Sequence, residues 1–204
     1  TQRRRQRQMC IRDRLSLAKA RMSDGVVELF QLEAQNLTAI NNASIDVVLC
    51  HWALTLMDPI TPVLKEINRI LSSGGKFAAL VNGPMNTAPG YLDVYNLIYK
   101  YVQTKLPNYG KIDLGDPRIR STKSLERLVG EAFPSAEVSI ENNVVSMVGP
   151  VAEVSETAAG FFYASFILPT ELRMIMLSDL SKLLSVSKQE GRFIMPISRL
   201  IVKK

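Results

Sequence analysis

Residues 44–81 carry the pattern that most constrains the fold: two short apolar segments on either side of an amphipathic helix. Ile45–Cys50 is almost continuously apolar, as expected for a strand covered on both faces of a parallel sheet. Pro62–Leu71 repeats apolar residues at helical spacing and places polar residues on the other face. Gly74 and Gly75 predict the end of the helix and a turn into a second strand, Lys76–Val81. The sequence therefore predicts a βαβ unit of an α/β fold.

This block resembles the central segment of class I S-adenosylmethionine-dependent methyltransferases, in which an Asp-Val-Val strand precedes a helix of the form Glu-x-x-Arg-x-Leu-x-x-Gly-Gly. The matching positions are Asp46, Val47, Val48, Glu66, Arg69, Leu71, Gly74 and Gly75. Residues 27–37 resemble the family's third strand with its acidic-Ala-x-x-Leu ending. The resemblance implies a Rossmann-like sheet and methyl transfer from S-adenosylmethionine to a small molecule, as in the broad group that includes the quinone-biosynthesis enzymes. It names neither the acceptor nor the acceptor atom.

The start of the chain lacks the family's other cofactor motifs. The family holds its cofactor with a glycine-rich turn after the first strand and an acidic residue after the second, whereas Gly25 is the first glycine here. Residues 9–14 resemble the translation of a transposase-end sequencing adapter. We therefore expect Thr1–Arg14 to be a scar outside the fold. Residues 15–204 are expected to be the C-terminal portion of one methyltransferase domain, a fragment with impaired activity whose sheet lacks its first two strands.

The basic character of the chain is concentrated in the same terminal segment. The chain has 25 Lys and Arg against 19 Asp and Glu, and Thr1–Arg14 contains six of the basic residues and one of the acidic residues. Residues 15–204 thus carry 19 basic and 18 acidic side chains, a formal net charge of +1. This small charge gives no electrostatic reason to expect a nucleic-acid or anionic-membrane partner.

The cysteine, histidine and hydropathy patterns exclude several other classes. Cys50 is the only cysteine beyond residue 14 and His51 is the only histidine, so neither a disulfide framework nor a Cys/His metal site is predicted. No signal peptide is recognisable, and no apolar stretch reaches the roughly 18 residues of a membrane helix. We expect a cytoplasmic protein, and the sequence does not indicate its oligomeric state.

The remaining periodicity predicts one domain with helical insertions near the C-terminus. The expected elements are a helix over Leu15–Met22, the third strand of the family over Val26–Leu32, a loop over 82–90, helices over Tyr91–Leu106 and Ser121–Phe133 (Ser121 as N-cap), a strand over Ala136–Ile140 reaching toward Val148, helices over Val154–Leu168 and Thr170–Val186, and a strand over Arg192–Val202. The last two strands are expected to be antiparallel, with a substrate lid between them. In the complete family fold, strands one and two separate the third strand from the fourth, so Val26–Leu32 is expected to be poorly anchored or re-paired.

The resemblance also implies which side chains hold the cofactor. Glu33 stands where the family's acidic residue accepts a hydrogen bond from the adenine amino group, and Ala34 contributes a backbone amide toward the ring. Cys50 and His51 end the strand over the methionine and ribose end of the cofactor. His51 is also the candidate general base for the acceptor. A solvated carboxylate at Glu33 and a packing role for His51 are the structural alternatives.

Three further residues are candidates for contact with the acceptor. Trp52 and Tyr91 are candidates for an aromatic wall. Asn82 follows the predicted strand Lys76–Val81, at the sheet end where open α/β sheets place their ligands. Each has a structural alternative, because aromatic residues at helix starts are often core and Asn is common in turns.

Two other functions remain open at this stage. Tyr101 and Lys105 have the Tyr-x-x-x-Lys spacing of short-chain dehydrogenases, in which the lysine lowers the tyrosine pKa. A methyltransferase-like module that only binds a partner is the second alternative. Turnover of a nicotinamide cofactor would identify the dehydrogenase, and the coding sequence upstream of Leu15 would separate the module from a truncated enzyme.

Overall fold

The computed structural model describes residues 15–21, 27–110, 115–162 and 164–204. The proposed scar over Thr1–Arg14 lies outside these residues. Residues 15–21 form helix α1 within the predicted Leu15–Met22. No helix among the described residues is long and apolar enough to cross a membrane.

Four strands and six further helices follow in the described residues. They are β1 (Ile45–His51), α2 (Ile60–Ile70), β2 (Leu71–Asn82), α3 (Tyr91–Gln103), α4 (Thr122–Ala132), β3 (Glu137–Pro150), α5 (Val151–Phe161), α6 (Ala164–Ile167), α7 (Thr170–Leu184) and β4 (Glu190–Lys203). Ser121 caps α4 as predicted, because its Oγ accepts a hydrogen bond from the backbone N–H of Ser124 at 3.4 Å. Short 3-10 turns over Leu54–Leu56, Met85–Thr87 and Pro117–Arg120 complete the described structure.

The strands form one mixed sheet in the order β1-β2-β4-β3. β1 pairs parallel with β2, which confirms the predicted βαβ unit. β4 inserts between β2 and β3 and runs antiparallel to both. The prediction that the last two strands are antiparallel is therefore confirmed. The helices α5, α6 and α7 lie between them in the chain, where helical insertions were expected.

Residues 27–32 do not form the predicted third strand. They are exposed and pair with no other strand of the described sheet, and the only bridge nearby joins Glu33 to Asn36. The apolar pattern of this segment suits a strand, but a strand forms only beside a partner. Its family neighbours, strands one and two, are absent from the described sheet. This agrees with the expectation that the segment would be poorly anchored.

One face of the sheet packs against α2 and α4. Alternate residues of β2, Phe77, Ala79 and Val81, point into this cluster together with Leu200 of β4. The ring of Phe77 stacks on Phe133 with centroids 6.2 Å apart. Burying this apolar surface is the main stabilising term for the strands that end at the candidate site.

A second apolar cluster joins α3, α5 and α7. Its buried members include Tyr91, Ile98, Val154, Met176 and Phe193. Because Phe193 belongs to β4, the cluster attaches the three helices to the sheet. The expected lid is thus packed onto the sheet through its own core.

The turn between α2 and β2 differs from the prediction. α2 ends at Ile70, and β2 begins at Leu71. Ile45 pairs with Leu71 and Val47 pairs with Lys76, so β2 accommodates Gly74 and Gly75 in a bulge. Gly74 has a φ of 77°, which explains the glycine at that position.

Other helix boundaries shift by a few residues. α3 ends at Gln103 rather than Leu106, and the predicted helix over Val154–Leu168 begins at Val151 and is interrupted after Phe161. The predicted strand over Ala136–Ile140 extends through Pro150, because it pairs with β4 along its whole length.

Glu66 and Arg69 of α2 fix the chain that enters β1, and we name this pair the Glu66–Arg69 bracket. The Arg69 guanidinium donates to Glu66 Oε1 at 2.9 Å, to Leu37 O at 2.9 Å and to Ile40 O at 3.0 Å. Glu66 Oε2 accepts from the backbone N–H of Leu37 at 2.8 Å. These hydrogen bonds lower the pKa of Glu66, the largest cause being the one from Arg69. The forked guanidinium therefore holds residues 37–40 against α2.

We predict that Arg69→Lys loosens residues 37–44. A lysine ammonium is a point charge that cannot span the same fork of acceptors. Hydrogen-exchange mass spectrometry should show several-fold faster exchange of these amides, with a lower melting temperature. Because the folded-state pKa of Glu66 is depressed, the bracket stabilises the fold above the ordinary carboxyl pKa and loses this contribution as pH falls through the folded value.

Arg127→Lys is the matched control. Arg127 forms an exposed pair with Glu131 at 4.0 Å, and its replacement should leave exchange of residues 37–44 unchanged. Equal exchange in the two variants would contradict the role of the bracket.

Candidate functional site

The candidate site lies where the two parallel strands end. β1 ends at His51 and β2 ends at Asn82, and His51 pairs in register with Leu80. Because β1 and β2 are parallel, their carboxyl ends meet at one edge of the sheet. His51 and Asn82 are both exposed there. The structure thus brings together two of the predicted site residues.

Trp52 follows His51 in a strained backbone conformation. Its φ is 60°, which is unusual for a bulky side chain. Its N–H donates to Leu80 O at 3.1 Å, and its carbonyl accepts from Thr55 Oγ1 at 2.9 Å. The indole meets the edge of Phe161, with ring centroids 5.5 Å apart. These contacts hold the half-buried indole beside His51.

Cys50 lies on the core side of β1. It is half-buried against the cluster formed with α2 and α4. Burial raises the pKa of its thiol, and hydrogen bonds from the backbone of Leu54 and Ala53 oppose that shift. A protonated, half-buried thiol is a poor nucleophile, so Cys50 contributes backbone and volume to this strand end.

Glu33 and Ala34 lie in a turn that precedes the bracketed segment. The N–H of Asn36 donates to Glu33 O at 2.8 Å, closing the turn. The Glu33 carboxylate is exposed and accepts from Gln35 Nε2 at 3.0 Å. Ala34 is half-buried against the core of the sheet. The turn therefore presents a carboxylate to solvent beside an anchored small residue.

Tyr91 is not an exposed residue of the site. Its ring is buried and stacks on Phe193, with centroids 6.1 Å apart, and also contacts Phe162. Burial raises the pKa of its hydroxyl to about 12, with a smaller contribution from the neighbouring Tyr95. Tyr91 thus belongs to the core formed by α3, α5 and α7, as its structural alternative proposed. The half-buried Tyr95 and Phe161 occupy the more open positions.

The turn at 115–120 fixes the loop after Trp52, a role that the sequence reading missed. The N–H of Asp116 donates to Met57 O at 2.9 Å. The Asp116 carboxylate accepts from the backbone N–H of Ile60, at the start of α2, and forms an ion pair with Arg118. The hydrogen bond from Arg118 is the main reason why the pKa of Asp116 is lowered. Asp116-Pro117 is a recognisable helix-start signal, but Met57 and Ile60, which it holds, lie more than fifty residues away in the chain.

The dehydrogenase alternative does not fit the geometry of Tyr101. Its hydroxyl donates to Asp179 Oδ2 at 2.6 Å, and this bond raises the tyrosine pKa. A catalytic tyrosine needs a lowered pKa instead. Lys105 is exposed and lies beyond the end of α3. Within the described residues, no group of three or more His, Cys, Asp and Glu side chains is arranged to hold a metal ion.

We predict that Gly115→Ala disturbs the loop beside Trp52. Gly115 has a φ of 74°, and an added Cβ would lie 2.4 Å from Thr55 O. The left-handed backbone alone costs an alanine about 1–2 kcal/mol, and the collision must also displace residues 55–57. The variant should unfold at lower denaturant and change the emission of Trp52, the only tryptophan.

Gly74→Ala separates the two causes. Gly74 has a similar φ of 77°, but an added Cβ meets no atom within 4 Å. This control should lose only the stability that the left-handed backbone costs an alanine, and it should keep the native Trp52 emission. Equal destabilisation of both variants, with unchanged emission, would show that the 115–120 turn does not position the loop.

Comparison with known proteins agrees with this architecture. Residues 8–79 match the methyltransferase domain family, whereas no curated protein matches the chain. The fold is shared with a protein described as a methyltransferase from an antibiotic biosynthesis pathway of Anabaena variabilis, which is 15% identical over 90% of this chain and 75% of that chain, with a TM-score of 0.53. A SAM-dependent methyltransferase from Methanosarcina mazei is 14% identical over 94% of this chain and 76% of that chain, with a TM-score of 0.48. Residues 8–79 thus match a methyltransferase domain model, and the chain shares the fold of a methyltransferase of known structure.

Proposed function

We propose that this chain carries part of the active site of an enzyme that methylates a small molecule with S-adenosylmethionine. The observation that carries the proposal is the meeting of His51, Trp52 and Asn82 at the carboxyl ends of the parallel strands β1 and β2. Open α/β sheets bind their ligands at this edge. The methyltransferase domain match over residues 8–79 includes the first two of these residues.

The residues present fit the adenine side of the cofactor. The exposed Glu33 carboxylate is an acceptor suited to the adenine amino group. Ala34 packs its small side chain against the core, and its backbone amide would contact the adenine ring. Cys50 and His51 supply the strand end on the other side. When bound, S-adenosylmethionine supplies an activated methyl group. The protein contributes mainly alignment and a base.

The family's pattern of cofactor contacts is only partly matched here. That pattern includes a glycine-rich turn and a ribose carboxylate, and no glycine precedes Gly25. The turn at Glu33 and the end of β1 would alone give few polar contacts to a charged, flexible ligand. We therefore expect weak binding of S-adenosylmethionine and impaired turnover.

His51 is the proposed general base. The imidazole is exposed at the strand end, with its ring edge toward Trp52 at a centroid distance of 6.0 Å. A neutral imidazole accepts a proton near pH 7, so it suits an acceptor whose nucleophilic atom loses a proton. Asn82, exposed on the neighbouring strand, is placed to orient the acceptor with its amide. Methyl transfer to a neutral oxygen or nitrogen would then leave the proton on His51.

We predict that S-adenosylmethionine perturbs one set of amides. In nitrogen-proton correlation spectra, millimolar cofactor should shift Ala34, Cys50 and His51, while isothermal calorimetry at micromolar cofactor should show no saturation. Glu33→Ala should reduce the cofactor affinity by about 1.5–3 kcal/mol, the net value of a hydrogen bond to a charged group. The shifts at a given cofactor concentration should fall accordingly.

Glu28→Ala is the matched control, since Glu28 is an exposed carboxylate in the unpaired segment just before the turn. It should leave the titration unchanged. Shifts that avoid the strand ends, or none at all, would sink the cofactor assignment and favour the binding-module alternative. Micromolar affinity would overturn only the expected weakness.

We predict that His51→Gln lowers turnover more than cofactor binding. At saturating cofactor, loss of a general base should reduce the rate of methyl transfer by about 10²–10⁴-fold, whereas the cofactor-induced shift of Ala34 should persist. An unchanged rate of methyl transfer in the variant would remove His51 from the mechanism.

A further inference from the structure

A row of aromatic rings leads from the candidate site into the lid. We name Trp52, Phe161, Phe162, Tyr95 and Tyr99 the aromatic wall. Trp52 and Phe161 have centroids 5.5 Å apart, and Phe161 and Phe162 have centroids 5.2 Å apart. Phe162 then meets Tyr95 at 6.1 Å and Tyr99 at 6.4 Å. All of these pairs are edge-to-face.

The wall is only partly covered by the rest of the protein. Phe162 is buried, whereas Trp52, Phe161, Tyr95 and Tyr99 are half-buried. Phe162 is therefore the anchor, and the four other rings retain contact with solvent. Small-molecule sites combine such apolar and aromatic surfaces with a few polar groups.

The backbone at Trp52 supports a role beyond packing. A tryptophan with a φ of 60° carries a conformational cost that a simple core position would not require. Two hydrogen bonds hold the residue there, to Leu80 O and from Thr55 Oγ1. The strained backbone connects the exposed His51 with the ring of Phe161. Strain of this kind is concentrated at functional sites.

The far part of the wall adds hydroxyl groups. Tyr95 and Tyr99 are four residues apart on one face of α3, and their rings stack with centroids 3.8 Å apart. Burial is the largest cause that raises the pKa of Tyr99, and a side-chain hydrogen bond with Tyr95 adds to it. A tyrosine hydroxyl can both donate and accept a hydrogen bond. No member of the wall carries a formal charge.

We propose that the aromatic wall binds a flat, uncharged aromatic alcohol as the methyl acceptor. The proposal rests on the proposed function for the identity of the reaction, but not for the binding itself. Ring-on-ring contact favours an aromatic ligand over an aliphatic one of equal size, and the tyrosine hydroxyls offer partners for its polar substituent. The row of rings leads the acceptor toward Trp52 and thus toward His51.

The single tryptophan makes binding directly measurable. Trp52 is the only tryptophan of the chain, so its fluorescence reports on one end of the wall. The probe is 4-nitrophenol, at a slightly acidic pH that keeps it neutral, because a nitroaromatic ring quenches a nearby indole. Quenching should saturate with a dissociation constant on the order of 0.1–1 mM, as expected for a ligand of this size. Phenol should displace the probe, and cyclohexanol should not.

Variants of the tyrosines identify the surface. Tyr95→Leu removes a ring and should weaken binding about three- to tenfold, the usual value of an aromatic pair. Tyr95→Phe keeps the ring and removes only the hydroxyl, and it should weaken binding by a smaller factor. It therefore tests the contribution of Tyr95 to probe binding even if Tyr95→Leu folds poorly. Tyr101→Phe is the matched control, because Tyr101 lies on the same helix but donates to Asp179 of α7. It should bind the probe like the unaltered protein.

The outcomes separate this proposal from the proposed function. Saturable, phenol-specific quenching with no cofactor-induced shifts would support the aromatic site and overturn the methyltransferase activity. Cofactor-induced shifts at Ala34 with unsaturable quenching, or with equal displacement by cyclohexanol, would overturn the aromatic acceptor alone. Equal probe affinity of Tyr95→Phe, Tyr95→Leu and Tyr101→Phe would also overturn it.

Discussion

The structure depends on the double pairing of β2. This strand is parallel to β1 on one side and antiparallel to β4 on the other, so it joins the βαβ unit to the C-terminal half of the chain. Its alternating residues Phe77, Ala79 and Val81 enter the core beneath α2 and α4. The parallel partner brings two carboxyl strand ends together, and the antiparallel partner supplies the attachment of the lid. Without this pairing, neither the site nor its surroundings would have a fixed position.

The two apolar clusters have different functions in this arrangement. The cluster under α2 and α4 stabilises the strands, whereas the cluster of α3, α5 and α7 gives these helices a core of their own. Trp52 and Phe161 form an aromatic contact between a strand end and the lid. A ligand held along the aromatic wall would therefore contact both parts of the molecule. In the proposed function, this contact would align the acceptor with the base on β1.

Polar contacts position the chain segments on either side of β1. The Glu66–Arg69 bracket holds the residues that enter the strand, and the Asp116 carboxylate holds the first turn of the helix that follows it. Both use carboxylates whose pKa is lowered by a neighbouring arginine. Residues 37–40 and the loop after Trp52 are thus held in place by charged groups. Acidic pH should release both segments before the apolar cores are affected.

The sequence by itself determined the βαβ unit, the Ser121 cap and the meeting of His51 with Asn82 at one sheet edge. These features follow from local apolar periodicity and from the rule that parallel strands end at the same side. Only the tertiary structure decided the rest. Residues 27–32 have a strand-like pattern but no neighbouring strand to pair with, and α2 stops at Ile70 because the next residue already pairs with β1. The aromatic wall joins β1, α3 and α5, which are far apart in the chain. Of its rings, the sequence singled out Trp52 alone, since periodicity shows which face of a helix is apolar but not which distant ring will cover it.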